Sequence, residues 1–432
     1  MLLMVLVAAC GGSSSPPAGI ALSEVRALSA ETGNGATPMV LMAPDGTRLL
    51  AWVSAEGGGS EGRLHLVATP SGGGAPARVT IRDALGPIEP HGEAPPQLAA
   101  DPDGGLYAAY TVGKEVPGER FPKSALRLIR STDGGVSWSE PTTVNEGEAF
   151  GSHNFHALLA GPGGRLYATW LGGGPKGAPS MVWLRRSLDG GKRWLPTQLL
   201  HGEATCPCCR TSLARAPDGT LYAAWRKIFP GDVRDVVVAR STDDGTTWDT
   251  PVKPRDDGWV YPGCPHAGPS LKVDAGGGVH IAWWSGKEGH AGVYYAKSHD
   301  GGMTFRALPL AVAKRSTPSH VQLAIAPSGP VVVWDDGFGA VPTILLRNST
   351  DRGMSFGAVV GVSPEGEAGT FPVLGVFADS ITIAWSTRTA ARHRAEMAAH
   401  AERDPKAPMG LPRVGQQEIL ARSAFLKSQP DR

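Results

Sequence analysis

Seven times in this chain a short turn of Pro, Asp, Ser or Gly residues leads into an alternating strand that ends on an aromatic. The copies are "APDGTRLLAW" to Trp52, "DPDGGLYAAY" to Tyr110, "GPGGRLYATW" to Trp170, "APDGTLYAAW" to Trp225, "DAGGGVHIAW" to Trp283, "APSGPVVVW" to Trp334 and "FADSITIAW" to Trp385. Successive aromatics lie roughly 50 to 60 residues apart, the length of a four-stranded propeller blade with generous loops. At 432 residues the chain would ordinarily make two or three domains. With 58 Gly, 37 Pro and few long apolar-periodic runs, it reads instead as many short strands joined by turns in one domain.

A second signature follows the five middle copies. "STDGGVSW" (Ser131 to Trp138), "SLDGGKRW" (Ser187 to Trp194), "STDDGTTW" (Ser241 to Trp248), "SHDGGMTF" (Ser298 to Phe305) and "STDRGMSF" (Ser349 to Phe356) share Ser-x-Asp-x-Gly-x-x-aromatic. In a tight hairpin the Asp bonds its own backbone across the turn, the Gly takes a positive φ, and the aromatic returns to pack beneath the strands. The pattern resembles the Asp-box, or BNR, repeat of the sialidase superfamily. Degenerate versions stand at "TPSGGGAP" after Thr69 and "AERDPKAP" after Ala401. The resemblance covers about residues 37 to 407 and implies an all-β fold, a β-propeller of four-stranded blades. Sialidases usually have six blades, whereas the repeat count here is seven; a sandwich of short strands does not explain a fixed repeat.

Three segments are expected: 1–19, a signal and tether; 20–413, the propeller; and 414–432, a tail that is either a short helix or a closing strand. "ALSEVRAL" and "PRVGQQEIL" are both candidates for closing the ring. If "APDG" joins the first and second strands at the bottom of a blade, the Asp-box turns also lie at the bottom. The long irregular loops then gather on top, where propellers bind their ligands.

In sialidases three arginines grip the substrate carboxylate, a Tyr assisted by a Glu attacks, and an Asp serves as acid/base. The Arg-Ile-Pro motif of that family is absent here. Arg210, Arg226, Arg234, Asp235, Tyr261, Tyr295 and the pair Asp335 and Asp336 are therefore catalytic candidates by face alone, and sialoside hydrolysis is expected to be weak or absent. Trp259, Tyr261, Trp284 and Tyr294 are candidates for stacking on sugar rings or for packing between blades. The reading of the whole is a glycan-directed propeller, binding or hydrolytic, with a glycan or small-molecule ligand on the top face.

Net charge is +1, from 41 Lys and Arg against 40 Asp and Glu, so there is no electrostatic footprint for nucleic acid. The N-terminal "LLMVLVAAC" is a short apolar run, too short to span a bilayer, and Val7-Ala8-Ala9-Cys10 resembles the lipobox of bacterial lipoproteins. No Lys or Arg precedes the run, a departure from that pattern. "GGSSSPPAG" follows as a flexible tether. The expectation is an extracytoplasmic protein held to a bacterial cell membrane through lipidated Cys10 alone, in a compartment that permits disulfides.

The other four cysteines fall within Cys206 to Cys264. Counting back seventeen positions from Trp170, Trp225 and Trp283 reaches His153, Cys208 and His266. Nineteen positions before Tyr110, Trp225 and Trp283 lie His91, Cys206 and Cys264. Equivalent positions in consecutive blades face one axis, so these residues, with Cys209, are expected near the upper mouth of the central channel. Thiolates and imidazoles brought together bind zinc or copper, which sets up the alternative function: a metal-binding or redox propeller without hydrolase activity. Disulfides are the competing chemistry, and four cysteines allow three pairings.

Overall fold

A computed structural model describes residues 20–56, 61–174, 177–312, 319–337, 341–401 and 417–426. Cys10 with its tether, and the degenerate Asp-box after Ala401, lie outside these residues. The strands form seven antiparallel sheets arranged as a β-propeller. The first blade is β3 (Gly35–Met42), β4 (Arg48–Glu56), β5 (Glu61–Thr69) and β6 (Ala77–Ile81), in that order from the channel outwards. The second is β7 (Gln97–Ala100) to β10 (Thr142–Thr143), and the third β11 (Asn154–Gly161) to β14 (Gln198–His201). The fourth has β15 (Ser212–Arg215), β16 (Leu221–Phe229) and β17 (Val233–Ser241), its outer edge marked by a bridge between Val238 and Val252. The fifth runs from β18 (Ser270–Val273) through β19 (Val279–Ser285) to β21 (Arg306–Val312), and the sixth from β22 (Val321–Ala326) through β23 (Gly329–Asp336) to β25 (Val360–Gly361).

The seventh blade closes the ring. Its inner strands are β26 (Glu367–Phe377), β27 (Ser380–Thr389) and β28 (Glu418–Leu426), and its outer edge is N-terminal: β1 (Ile20–Leu22) and β2 (Arg26–Ala27) both pair with β28. Ile20 lies opposite Leu426 and Arg26 opposite Ala421. Side chains reinforce the latch, since Ser29 Oγ accepts from Ile419 N at 2.8 Å and Arg422 Nε donates to Ser23 O at 2.9 Å. Both candidate closing segments therefore take part. Of the two forms expected for 414–432, the described residues 418–426 take the closing strand, as a full strand of the last blade. The one described helix, α1 (Ala390–Ala401), follows β27, and no helix among the described residues is long and apolar enough to cross a membrane.

The repeated aromatics stand near the middle of the second strands. Trp52, Trp225, Trp283, Trp334 and Trp385 are all at most 2% exposed, because each blade's faces are covered by its neighbours and the apolar clusters span adjacent blades. The Asp-box turns lie at the lower end of the blades, between third and fourth strands. In each, the Ser hydroxyl accepts the Gly N–H and donates to the Asp, whose carboxylate accepts the N–H two residues beyond the Gly. For Ser241, Asp243, Gly245 and Thr247 these bonds measure 2.9, 2.8 and 2.9 Å. The Gly serves two ends at once. Gly353 has φ 91°, and a Cβ there would lie 2.1 Å from the Tyr295 hydroxyl of the preceding blade. These turns are thus pressed against the preceding blade and are structural.

Asp243 is the residue to test, since its carboxylate is held down to about 2 by bonds from the Thr247 hydroxyl and N–H. Asp243→Ala is expected to lower the unfolding free energy by about 0.5–2 kcal/mol, the range for losing a local side-chain-to-backbone bond. Because the folded pKa is depressed, the wild-type advantage is full above pH ~4 and is lost as pH falls towards 2. Denaturant unfolding of both proteins across that range checks the size and the direction.

Candidate functional site

The links that carry the chain from one blade into the innermost strand of the next converge on the upper mouth of the channel. Several enter through left-handed backbone: Thr37, Phe155, His266 and Phe371 have φ of 50–55°. Bulges follow at Ala36/Met39, Asn154/Ala157 and Thr370/Val373. A non-glycine residue in this region costs about 1–2 kcal/mol, so the tight entry is held by its surroundings.

The link into β15 carries Cys206-Pro207-Cys208-Cys209 and is stitched to the top of β16. Cys206 N and Thr205 Oγ1 both donate to Arg226 O at 2.9 Å, and Ile228 N donates to Ala204 O at 3.0 Å. This turns all three thiols inward, where they are at most 4% exposed and pack with Phe155 and Ile228. Cys206 Sγ lies 3.6 Å from Cys208 Sγ and 3.5 Å from Cys209 Sγ. Among the described residues these three cysteines are the group whose ligand atoms all fall within 4.8 Å of one another. Arg234 reaches the cluster, its Nη1 donating to Cys206 Sγ at 3.3 Å.

The electrostatics separate the thiols. Hydrogen bonds from Cys208 and Cys209 pull the Cys206 pKa far down against burial, and the Arg226 and Arg234 guanidiniums add to the effect. Burial pushes Cys209 up, and bonding to Cys206 pushes Cys208 up. Cys264 is exposed, and a hydrogen bond from Cys208 lowers its pKa. All four are free thiols in this structure.

The histidines gather beside the cluster without joining it. His91 and His266 have ring centres 5.7 Å apart, and Phe155 packs on both, at 5.2 and 6.2 Å, as well as on the cysteines. Burial, with His266 and His320 nearby, depresses His91 to about 3, so it is a neutral imidazole at ordinary pH. His153 turns away against Trp170, and burial lowers it to about 4.

Next to these rings lies a buried ionic chain. Arg210 Nη1 is 3.5 Å from Glu93 Oε1, whose partner oxygen Oε2 accepts Gly268 N at 3.0 Å. His320 Nε2 is 4.0 Å from Glu93 Oε1, and its Nδ1 is 2.6 Å from Asp335 Oδ2. A Cβ at Gly268 would fall 2.5 Å from Arg210 O, so only glycine lets the link pass this close. Burial alone would lower the His320 pKa, but Asp335 and Glu93 outweigh it and raise it above the ordinary value. Glu93 and His320 escaped the sequence reading. His320 stands 14 positions before Trp334, level with Arg210 in the strand register and away from the positions seventeen and nineteen before an aromatic that were counted.

The arginines proposed as a carboxylate grip are all engaged. Arg210 holds Glu93 and donates to Val321 O; Arg226 donates to Arg234 O, Ala267 O and Trp284 O and lies over the Trp259 ring; Arg234 holds Tyr261 O and Cys206. Asp235 is buried, ion-paired to Lys253 at 2.8 Å, and accepts from Gly258 and Trp259 backbone. Tyr295 shares a hydrogen bond with His280. Trp259, Trp284 and Tyr294 are at most 5% exposed, which corrects the expectation of a sugar-stacking platform for these three; Tyr261, stacked on Trp259 at 5.1 Å, is the partly exposed one.

Residues 74–262 match the family described as the BNR repeat-like domain. No curated protein matches the chain. Among solved structures, a protein of unknown function from Dyadobacter fermentans is 15% identical with a TM-score of 0.52, the alignment covering 95% of this chain and 100% of that one. An ulvan lyase of polysaccharide lyase family 25, bound to a GlcA-Rha3S saccharide, is 13% identical with a TM-score of 0.53, covering 82% and 91%. The intramolecular trans-sialidase of Ruminococcus gnavus is a looser likeness, 13% identical with a TM-score of 0.46, covering 92% and 96%. What this chain shares with the first two of these structures is the fold.

The ionic chain makes a checkable statement about pH. With its pKa raised, His320 contributes stability that is full below about 6.5 and is lost as pH rises through its folded value. Asp335→Asn is expected to drop the His320 pKa below the ordinary histidine value, since burial then dominates. The variant should lose about 3 kcal/mol of stability at pH 6 and less at pH 9. NMR titration of the imidazole and unfolding at the two pH values read both effects.

Proposed function

We propose that this propeller holds a soft metal ion, zinc or copper, on Cys206, Cys208 and Cys209, with exposed Cys264 as the fourth thiolate. The observation that carries the reading is the spacing of the sulfurs. A tetrahedral ion with metal–sulfur bonds of about 2.3 Å needs sulfurs about 3.8 Å apart. The cluster presents two such edges, at 3.5 and 3.6 Å, between buried thiols. Two guanidiniums beside it, Arg226 and Arg234, offset the negative charge that several thiolates would accumulate. Sulfur ligands select zinc or copper(I) over hard cations. His91, His153 and His266 are outside the ligand set in this reading.

Extracytoplasmic placement with a lipid anchor at Cys10 belongs to the same proposal. It favours oxidation as the competing fate of the thiols. Glycan-directed binding or exo-sialidase-type hydrolysis has the shared fold in its support, but fold alone does not carry chemistry. The engagement of Arg210, Arg226 and Arg234 argues against a sialidase-type carboxylate grip.

Protein purified from its native compartment is expected to carry close to one equivalent of zinc or copper by elemental analysis and to turn over no fluorogenic sialoside. Cys206→Ser with Cys209→Ser should reduce bound metal at least tenfold, while His153→Ala with His266→Ala should leave it nearly unchanged. Wild-type protein free of metal, with these cysteines blocked to thiol reagents until reduction, would decide for disulfides.

A further inference from the structure

The first blade has a polar face where the third blade has an apolar one. Strand alternation places Trp52 and Ser54 of β4, Arg63 and His65 of β5, and Thr80 at the outer strand β6 on one side. Trp52 lies opposite His65, Ser54 opposite Arg63, and His65 opposite Thr80. In the third blade the matching central pair is Trp170 with Trp183, which is apolar. Here the same row walls a groove of about 600 Å³, closed on its other side by Glu31 and Thr32 of the link that precedes β3.

The floor of the groove is built. His65 stacks on Trp52 with ring centres 5.3 Å apart and planes 19° apart. One ring nitrogen, Nε2, shares a 2.5 Å hydrogen bond with Ser54 Oγ, and the other, Nδ1, a 3.0 Å bond with Thr80 Oγ1. Trp52 Nε1 donates to Thr32 Oγ1 at 3.2 Å. Ser54 and His65 are 2% and 8% exposed, so the hydroxyls are held in place by buried groups. Arg63 and Arg82 both line the groove, and among the described residues the carboxylate that lines it is Glu31, which is 76% exposed and pairs with Arg78 at 3.7 Å.

We propose that this groove is a binding site for a hydroxylated carboxylate of the hexuronate kind, whose carboxylate is taken by Arg63 and Arg82 and whose hydroxyls are met by Ser54, Thr80 and Thr32. Guanidinium presents paired donors that match a carboxylate in plane, and fixed hydroxyls both donate and accept, as a sugar's own hydroxyls require. The volume is that of an ordinary small-molecule site. The site lies on the first blade, away from the cysteine cluster on the fourth, and does not rest on the metal reading.

Calorimetric titration of the full chain with glucuronate, glucose and inorganic sulfate tests it. Glucuronate is expected to bind in the millimolar range or tighter, with glucose and sulfate each at least about tenfold weaker, because neither offers both chemistries. Arg82→Gln, at an exposed position, should keep the wild-type melting temperature and weaken glucuronate about tenfold. Ser54→Ala should weaken glucuronate while leaving the weak binding of sulfate unchanged. Absence of glucuronate binding, equal binding of glucose, or wild-type affinity in a folded Arg82→Gln protein would overturn the assignment. Sulfate binding as tightly as glucuronate would also overturn it, reducing the groove to a general anion patch.

Discussion

Every blade of this protein buries its faces against the blades on either side, so the ring has to close before the core between the last and first blades is complete. Closure depends on the antiparallel pairing of the N-terminal strands β1 and β2 with β28, which joins residues about 400 positions apart in the chain. The cost of bringing such distant segments together grows only slowly with loop length. The return is the cluster between the last and first blades, where Trp52, Val40 and Leu50 meet Val373, Ala384 and Ile419. Without that latch β28 would be the open outer edge of the last sheet, and the ring that covers those side chains would not be tied shut.

Within the ring, the two ends of the blades have different chemistry. The lower end is regular: the Asp-box turns satisfy their own backbone, carry their positive φ on Gly or its neighbour, and press against the preceding blade. The upper end is irregular, with left-handed entry residues, bulges and buried ionic groups. This division leaves the lower end to stability and concentrates unusual chemistry at the channel mouth. The ionic chain Glu93, Arg210, His320 and Asp335 comes from links into, or strands of, the second, fourth and sixth blades and fixes those links relative to one another. The CPCC link, continuous with Arg210, is one of the segments fixed in this way.

Much of the architecture was legible because it repeats. A turn and an aromatic recurring at constant spacing need no tertiary information to be counted, and seven copies correspond to seven sheets. Cys206, Cys208 and Cys209 lie together because they share one four-residue link, and His91 approaches His266 although the two stand at different phases of the repeat, nineteen and seventeen positions before their aromatics. His153 shares the phase of His266 yet turned onto Trp170, because the phase places a Cα and not the rotamer that packing selects. Trp259, Trp284 and Tyr294 read equally as sugar platforms or as packing, and burial by neighbouring blades made them packing.

The sequence by itself determined the blade count, the bottom-face role of the Asp-boxes, and which link carries the thiols, because each is written in local turn chemistry or in periodicity. Only the tertiary structure decided that Glu93 and His320 join Arg210 and Asp335, that Arg234 faces Cys206, that β28 belongs to the last blade, and that a polar groove opens on the first. Those contacts connect different blades or distant strands, and their geometry depends on the angle at which sheets pack and on one-residue differences in turn length. A linear pattern does not encode those angles; they arise when all seven sheets settle against one another and the ring closes.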